Sequence, residues 1–379
     1  MKKKILILNG WFLPGFKGGG PVQSCNNIIQ KLHNNFDFYF ICGDRDLKDK
    51  KPYDNIKIND WNNKYNANIY YISPEKQNFN GMKTVLNLVD YDVVYLNNFF
   101  NFKFTIIPLI LKKMKTIKNS KFILSVRGDF TGGLENKKIK KYAFICISKI
   151  LGLYNNIIWH ATSNIEKKDI LKIFPKANII VIPNLSEMYV EKDIKQKKDK
   201  GILKLIYISR IFPKKNIIYA LNILKNIKKG NVIYDIYGSM EDEKYWNECK
   251  KIIEKLPSNI KVNYCGELPH EKIGETFQKY HSFFFPTLGE NFGHVIVESM
   301  MNNCPCILSE GVTPWDNYIK NVGYGATLDN KEKFINDINK LLDLNQAEFI
   351  KLVKLNNDFI KKAMNDDEIL EKYNRMFMN

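Results

Sequence analysis

Short, nearly unbroken apolar runs alternate with helix-like stretches along the whole chain, and nothing else in the sequence constrains the fold as tightly. Strands that are apolar on both faces need cover on both faces, which implies parallel sheets layered between helices. In the first half the predicted strands are Lys4–Leu8, Phe36–Cys42, Ile69–Ile72, Val93–Leu96, Phe122–Val126, Ile157–Ala161 and Ile179–Ile182. Helices are expected over Val22–His33, Met82–Val89, Lys103–Lys118, Lys137–Leu151 and Asn164–Phe174. The pattern restarts with strands Leu203–Ser209, Val232–Tyr237, Ile260–Cys265, Ser282–Phe285 and Cys306–Leu308. Helices Asn216–Lys228, Glu241–Lys255, His270–Tyr280 and His294–Asn303 fall between them or after them. The two halves are separated by Glu191-Lys-Asp-Ile-Lys-Gln-Lys-Lys-Asp-Lys-Gly201, a charge run that reads as a solvated linker. The expectation is two Rossmann-like doubly wound α/β domains, over 1–184 and 202–360, with a linker at 185–201. A helix over 361–379 is placed to pack on the first of them.

Among the 58 basic residues only Arg45, Arg127, Arg210 and Arg375 are arginines, so the excess of 18 positive charges is almost all lysine. High Asn, Ile, Lys, Tyr and Phe are the pattern expected of a codon bias toward A/T, and on that reading the size of the charge says little about partners. Its placement says more. Residues 1–190 hold 29 Lys/Arg against 14 Asp/Glu, net +15, and residues 191–379 hold 29 against 26, net +3. The asymmetry comes from missing acids in the first half and points to an anionic partner there. Nucleic acid is a poor fit, because no recognition motif appears and arginine is scarce. Apolar runs such as Phe104–Leu111 fall short of the ~20 residues needed to span a bilayer. The Met1-Lys-Lys-Lys-Ile-Leu start reads as a buried first strand rather than a leader. Seven cysteines without a CxxC pair read as free thiols of a reducing cytosol.

Three segments carry chemistry. Leu288-Gly-Glu290-Asn291-Phe292-Gly293-His294-Val-Ile-Val-Glu298 runs from a strand through a glycine loop into a helix. Such a loop lies at the carboxyl edge of a parallel sheet, where ligands bind, and its helix N-terminus suits a phosphate. Glu298 lies about one turn into the helix, either facing the same ligand as Glu290 or simply solvated, with Glu290 as a cap. Ile208-Ser-Arg210-Ile-Phe-Pro-Lys-Lys215-Asn216 ends the second half's first strand, with Asn216 a candidate helix cap. A guanidinium fork and a mobile ammonium together suit a diphosphate. Pro14-Gly-Phe-Lys-Gly18-Gly19-Gly20-Pro21 follows the first strand and is either a close-approach loop for a ligand or a plain flexible turn. It matches neither GxGxxG nor a P-loop.

In this order and spacing the segments resemble the retaining glycosyltransferases of family 4. The resemblance rests chiefly on the glutamate pair Glu290 and Glu298 around Asn291-Phe-Gly293, and on Ser209-Arg210 with Lys215-Asn216. It implies the GT-B fold, two Rossmann-like domains facing a cleft, and the following roles. Arg210 and Lys215 would bind the pyrophosphate of a nucleotide-sugar donor, Glu290 the sugar hydroxyls and Glu298 the ribose. Gly19 and Gly20 would approach the donor phosphate, and loops at Gly238 and Gly266-Glu267-Leu268 would contact the base. Ser125-Val-Arg127-Gly128-Asp129-Phe and Thr313-Pro-Trp315 look like the branch serving bacterial surface polysaccharides. Many members place a histidine against the donor sugar where this chain has Arg127-Gly128, which makes Arg127 a candidate catalytic residue facing the ligand. His294 is a candidate replacement and His160 reads as structural, while Asp129 would orient Arg127 or meet the acceptor.

The resemblance further implies transfer with retention, a UDP-sugar donor being favoured, and no metal, since Asp44-Arg-Asp46 has the DxD spelling in the wrong domain. The acceptor would be a glycan or a polyprenyl-diphosphate-linked glycan. An epimerase or phosphorylase on the same fold, or a binding-only degenerate transferase, are the alternatives. Phe99–Lys118 and Asn136–Phe144 each join an apolar block to lysines. Each reads either as a core helix with a solvated face or as a dock for anionic lipid on the cytoplasmic side of a membrane.

Overall fold

The computed structural model describes all residues except 131–137, 187–188 and 365. The start of the helix expected from Lys137, the residues Asn136 and Lys137 of the second basic block, and part of the expected linker therefore lie outside the described residues. The chain forms two compact units, Met1–Glu187 with Asp366–Asn379, and Met188–Asn365.

In the first unit an eight-stranded sheet is built from β1 (Lys3–Leu8), β2 (Phe36–Gly43), β3 (Trp61–Lys64), β4 (Ala67–Ile72), β5 (Val93–Asn97), β6 (Lys121–Ser125), β7 (Ile158–Ala161) and β8 (Asn178–Val181). Their order is β3-β4-β2-β1-β5-β6-β7-β8, parallel except for β3. In the second unit β9 (Ile202–Ile208), β10 (Asn231–Tyr237), β11 (Ile260–Tyr264), β12 (Ser282–Phe285), β13 (Cys306–Ser309) and β14 (Gly325–Ala326) run in the order β11-β10-β9-β12-β13-β14. Both sheets are doubly wound, as the alternation of strands and helices requires. In each the winding direction reverses beside the first strand, between β1 and β5 and between β9 and β12. Ligands of such sheets bind outside the carboxyl ends of the strands at these reversals.

Central strands are buried on both faces, Leu6–Leu8 and Phe283–Phe285 being fully inaccessible, which is why they carry no polar alternation. β3 is absent from the sequence prediction. It pairs antiparallel with β4 through a two-residue turn in which Tyr65 and Asn66 take φ of 53° and 60°. That is the twist a tight hairpin needs, here with Tyr-Asn where Asn-Gly is usual.

One expectation about the chain between the sheets needs correction, and the helix expected at the far end shifts only in its bounds. The polar run does not hang free: Gln196 and Lys198 are buried on the second unit. The Lys198 ammonium donates to the carbonyls of Asp199, Leu342 and Leu344 at 2.8, 3.3 and 3.0 Å. A long lysine stem can bury while its head finds carbonyls, so charge alone is a poor mark of a linker. At the far end the helix Gln346–Ala363 belongs to the second unit, burying Phe349, Val353 and Ile360. The last helix, Asp366–Met378, belongs to the first, with Tyr373 and Phe377 in the cluster that holds Ile5, Phe36 and Phe38.

Candidate active site

In the second unit the loops leaving β9 and β12 are fastened together. Leu288 N–H and the Thr287 hydroxyl donate to the Lys214 carbonyl at 3.0 and 3.2 Å, and the Asn216 amide donates to the Pro286 carbonyl at 2.9 Å. Asn216 stands before the helix Ile217–Leu224 at φ 60° but makes no side-chain cap. Its side chain ties the loops instead, while the Tyr245 hydroxyl accepts from Ile218 N–H at 3.1 Å. This corrects the expected capping role.

Across the junction Lys215 and Glu290 form an ion pair with side chains only 12% and 14% exposed. The ammonium also lies 5.3 Å from the centre of the Phe285 ring. Arg210, on the same loop after β9, is half exposed, its fork 3.2 Å from Glu241 and stacked 5.2 Å over Phe212. Glu290 is therefore not a cap: its own N–H donates to the Val312 carbonyl at 3.0 Å, and its carboxylate faces lysine.

Gly293 precedes the helix His294–Met301 at φ 77°, where a Cβ would stand 2.7 Å from Ile296. The Phe292 carbonyl accepts from the Trp315 indole at 2.7 Å, and the rings of Phe292 and His294 meet edge-on at 4.9 Å. The Thr313-Pro-Trp315 stretch thus supports the loop from behind. Glu298 projects from the helix to His270, 3.2 Å away. Asn291 completes the turn between Glu290 and Phe292. On the β10 and β11 sides, Gly238 donates to the Gly266 carbonyl at 2.8 Å, Glu267 is exposed and Leu268 half-buried.

Gly238 takes φ 145°, and a Cβ there would lie 1.9 Å from the Ser209 carbonyl oxygen. Gly238→Ala must therefore displace the strand end that carries Arg210. We expect it to cost roughly 2–3 kcal/mol of stability and to weaken anion binding, read by thermal melts and phosphate titration.

The first unit holds the other sequence candidates. Gly19 takes φ 66° and, with Gly20, opens the helix Gly20–Leu32, with nothing within 4 Å of a Cβ at Gly19. The loop before it is pinned rather than loose, because Asp46 accepts from Phe16 and Lys17 N–H at 2.8 and 3.0 Å. Asp44 pairs with Arg45 at 2.8 Å, so both carboxylates of the DxD spelling have structural partners.

Arg127 takes φ 55° and turns its fork into the unit. It donates to the Asn97 carboxamide at 2.8 Å, to the Tyr95 hydroxyl at 3.0 Å and to the Asn184 carboxamide. Asp129 does not orient it; that carboxylate accepts from Phe99 and Phe100 N–H at 2.6 and 3.2 Å. Burial pushes the Asp129 carboxyl up to about 6 despite those bonds. Glu166, buried, accepts from Gly128 and Thr162 N–H, both at 2.7 Å, and so holds the turn after Arg127.

His160 is fully buried; Nδ1 accepts from the Tyr95 hydroxyl at 2.7 Å and Nε2–H donates to the Ile182 carbonyl at 2.8 Å. Burial, and secondarily Arg127, lower its pKa to about 3. The unfolded chain takes up this proton near pH 6.5 and the folded one refuses it until near 3, so this contribution to stability is lost as pH falls through that window. The His160 ring should show no NMR titration between pH 8 and pH 5, and a midpoint near 6.5 would contradict the buried neutral assignment.

The partners His270, Tyr95, Asn97 and Asn184 carry no mark in the sequence. Glu241, three residues past Gly238, was the one with a signal, an acid just beyond a strand-end glycine.

Residues 190–366 match the family model described as glycosyl transferases group 1, a span that takes in nearly all of the second unit. The second unit thus matches this class over nearly its whole length, and the chain has the fold of GT-B glycosyltransferase structures. The whole chain is similar to HepE of Anabaena in complex with UDP and glucose, with TM-score 0.72, 13% identity and 99% of both chains covered. It is similar also to sucrose-phosphate synthase from Thermosynechococcus elongatus, with TM-score 0.72, 13% identity and coverage of 99% and 98%. The lipopolysaccharide outer core galactosyltransferase WaaB, in apo form, is a third, with TM-score 0.64, 17% identity and 98% of each chain. At these identities the likeness is one of fold. A comparison with curated protein sequences gives no match.

Proposed function

We propose that the chain is a retaining, metal-independent glycosyltransferase of the family 4 type. It would move a sugar from a nucleotide-sugar, a UDP-sugar being favoured, to a hydroxyl of a lipid-linked or oligosaccharide acceptor in bacterial surface-glycan synthesis. The observation that carries this reading is the Lys215–Glu290 pair at the sheet reversal, with Arg210 on the same loop after β9. A cation paired with a carboxylate, and a second cation on the same loop, suit the two ends of a sugar diphosphate. Arg210 and Lys215 face the phosphates, and Glu290, already aligned by lysine, takes the sugar hydroxyls. Glu298 and His270 meet the ribose, and the N–H groups of the helix starting at His294 add to the field on the phosphates. UDP in HepE and the galactosyl transfer in WaaB's name favour the same ligand class.

The chemistry breaks the bond between the sugar's anomeric carbon and the phosphate oxygen. Negative charge grows on the departing diphosphate, where Arg210 and Lys215 supply the compensating charge. The acceptor hydroxyl gives its proton to that departing oxygen as its own oxygen bonds the anomeric carbon on the same face.

Incubating the purified chain, chelator present, with a panel of sugar nucleotides and polyprenyl-diphosphate glycans tests the proposal. The expected product keeps the donor's anomeric configuration, read by proton NMR. Inversion, or turnover only after a divalent ion is restored, would overturn the corresponding part. Isomerised donor would assign an epimerase, and binding without turnover a degenerate transferase.

A further inference from the structure

The helix Lys138–Ile150 of the first unit has two apolar faces, and the fold uses only one of them. Ile145 and Ser148 are buried, and the Phe144 ring meets Phe99 and Phe100 at 6.1 Å each. The opposite face carries Ala143, Cys146, Ile147 and Ile150, all exposed and spaced to form one stripe along the helix. Ile147 is 56% and Ile150 85% exposed, with Tyr142 and Leu151 half exposed at the flanks. Scattered surface apolar residues are ordinary, but a continuous stripe marks a contact surface.

What the stripe meets is indicated by charge. Residues 136–165 contain five lysines and no Asp or Glu. Lys140 lies at one edge of the stripe and Lys149 at the other, with its ammonium 5.0 Å from the Phe174 ring. A second copy of this helix would set lysine against lysine, whereas an anionic surface would meet both the stripe and its rims. The other basic and aromatic stretch does not compete. Phe99, Phe104, Ile106, Ile107, Leu109 and Leu111 are core residues. Among the described residues no helix is long and apolar enough to cross a membrane.

We propose that Lys138–Ile150 lies in the plane of an anionic bilayer surface, with Ile147 and Ile150 in the headgroup–acyl boundary and the lysines on acidic headgroups. Docking is independent of the transfer reading, because it is measured without donor or acceptor. Flotation of the whole chain with phosphatidylcholine vesicles, with and without phosphatidylglycerol, is the test. The chain should float with the anionic vesicles only, and less so as salt rises. Ile147→Ser with Ile150→Ser should lower partitioning at least about tenfold without lowering the melting temperature, since both side chains face solvent. Lys140→Glu should lower it about fivefold or more. Equal binding to both vesicle types, binding to neither, or unchanged binding of the double serine variant would overturn the proposal. So would a dimer dissolved by the same serines, which would assign the stripe to a second copy.

Discussion

Glu290→Ala should reduce sugar transfer at least about a thousandfold and also unsettle the second unit. The carboxylate is 14% exposed and faces a lysine that is 12% exposed, so its removal leaves a nearly buried ammonium without its partner. Breaking such a pair from one side costs roughly 3–5 kcal/mol, far more than an exposed pair is worth. Lys215→Ala should cost a similar amount of stability and remove a cation from the leaving group, worth roughly 3 kcal/mol or more of transition-state stabilisation. The double variant separates the two effects. With both charges gone the unit should recover much of its melting temperature, while transfer stays lost. Turnover within tenfold of wild type in any of the three would remove Lys215 and Glu290 from the reaction.

Arg127→Ala should act mainly on folding. Its fork satisfies Asn97, Asn184 and the Tyr95 hydroxyl, and Tyr95 in turn donates to His160. Truncation would orphan three acceptors at once, a loss of about 3–5 kcal/mol for the first unit and roughly 10 °C in melting temperature. Arg127→Lys should recover little of it, because one ammonium cannot reach three divergent oxygens in the plane of a fork. A purely catalytic arginine gives the opposite pattern, an Ala variant that melts normally and turns over nothing. The two outcomes are distinguished by melting and donor hydrolysis on the same preparation.

What the sequence made legible follows from which interactions are local. Buried parallel strands announce themselves as apolar runs, and the loops at their carboxyl ends follow from strand order, so Lys215 and Glu290, which the structure pairs, were both expected on those loops. The hairpin of β3 was missed because its turn uses Tyr65 where an Asn-Gly signal would be expected. The run through Lys198 read as linker because a lysine that caps carbonyls is spelled like one in water. Arg127 was expected to meet ligand because a strand-end arginine has no sequence mark for direction. Its inward turn depends on Tyr95, Asn97 and Asn184, contributed by distant segments. Asn216 was placed correctly before its helix, but its bond to Pro286 depends on a loop seventy residues away.

In the proposed reaction the β9 and β12 loops form a nucleotide diphosphate site held by protein cations. Calorimetric titration of UDP into the purified chain, with chelator present, addresses it most directly. Binding should be saturable, and Arg210→Ala should weaken it at least about tenfold, the worth of one charge-assisted contact. Binding that needs a divalent ion, or that Arg210→Ala leaves unchanged, would contradict it.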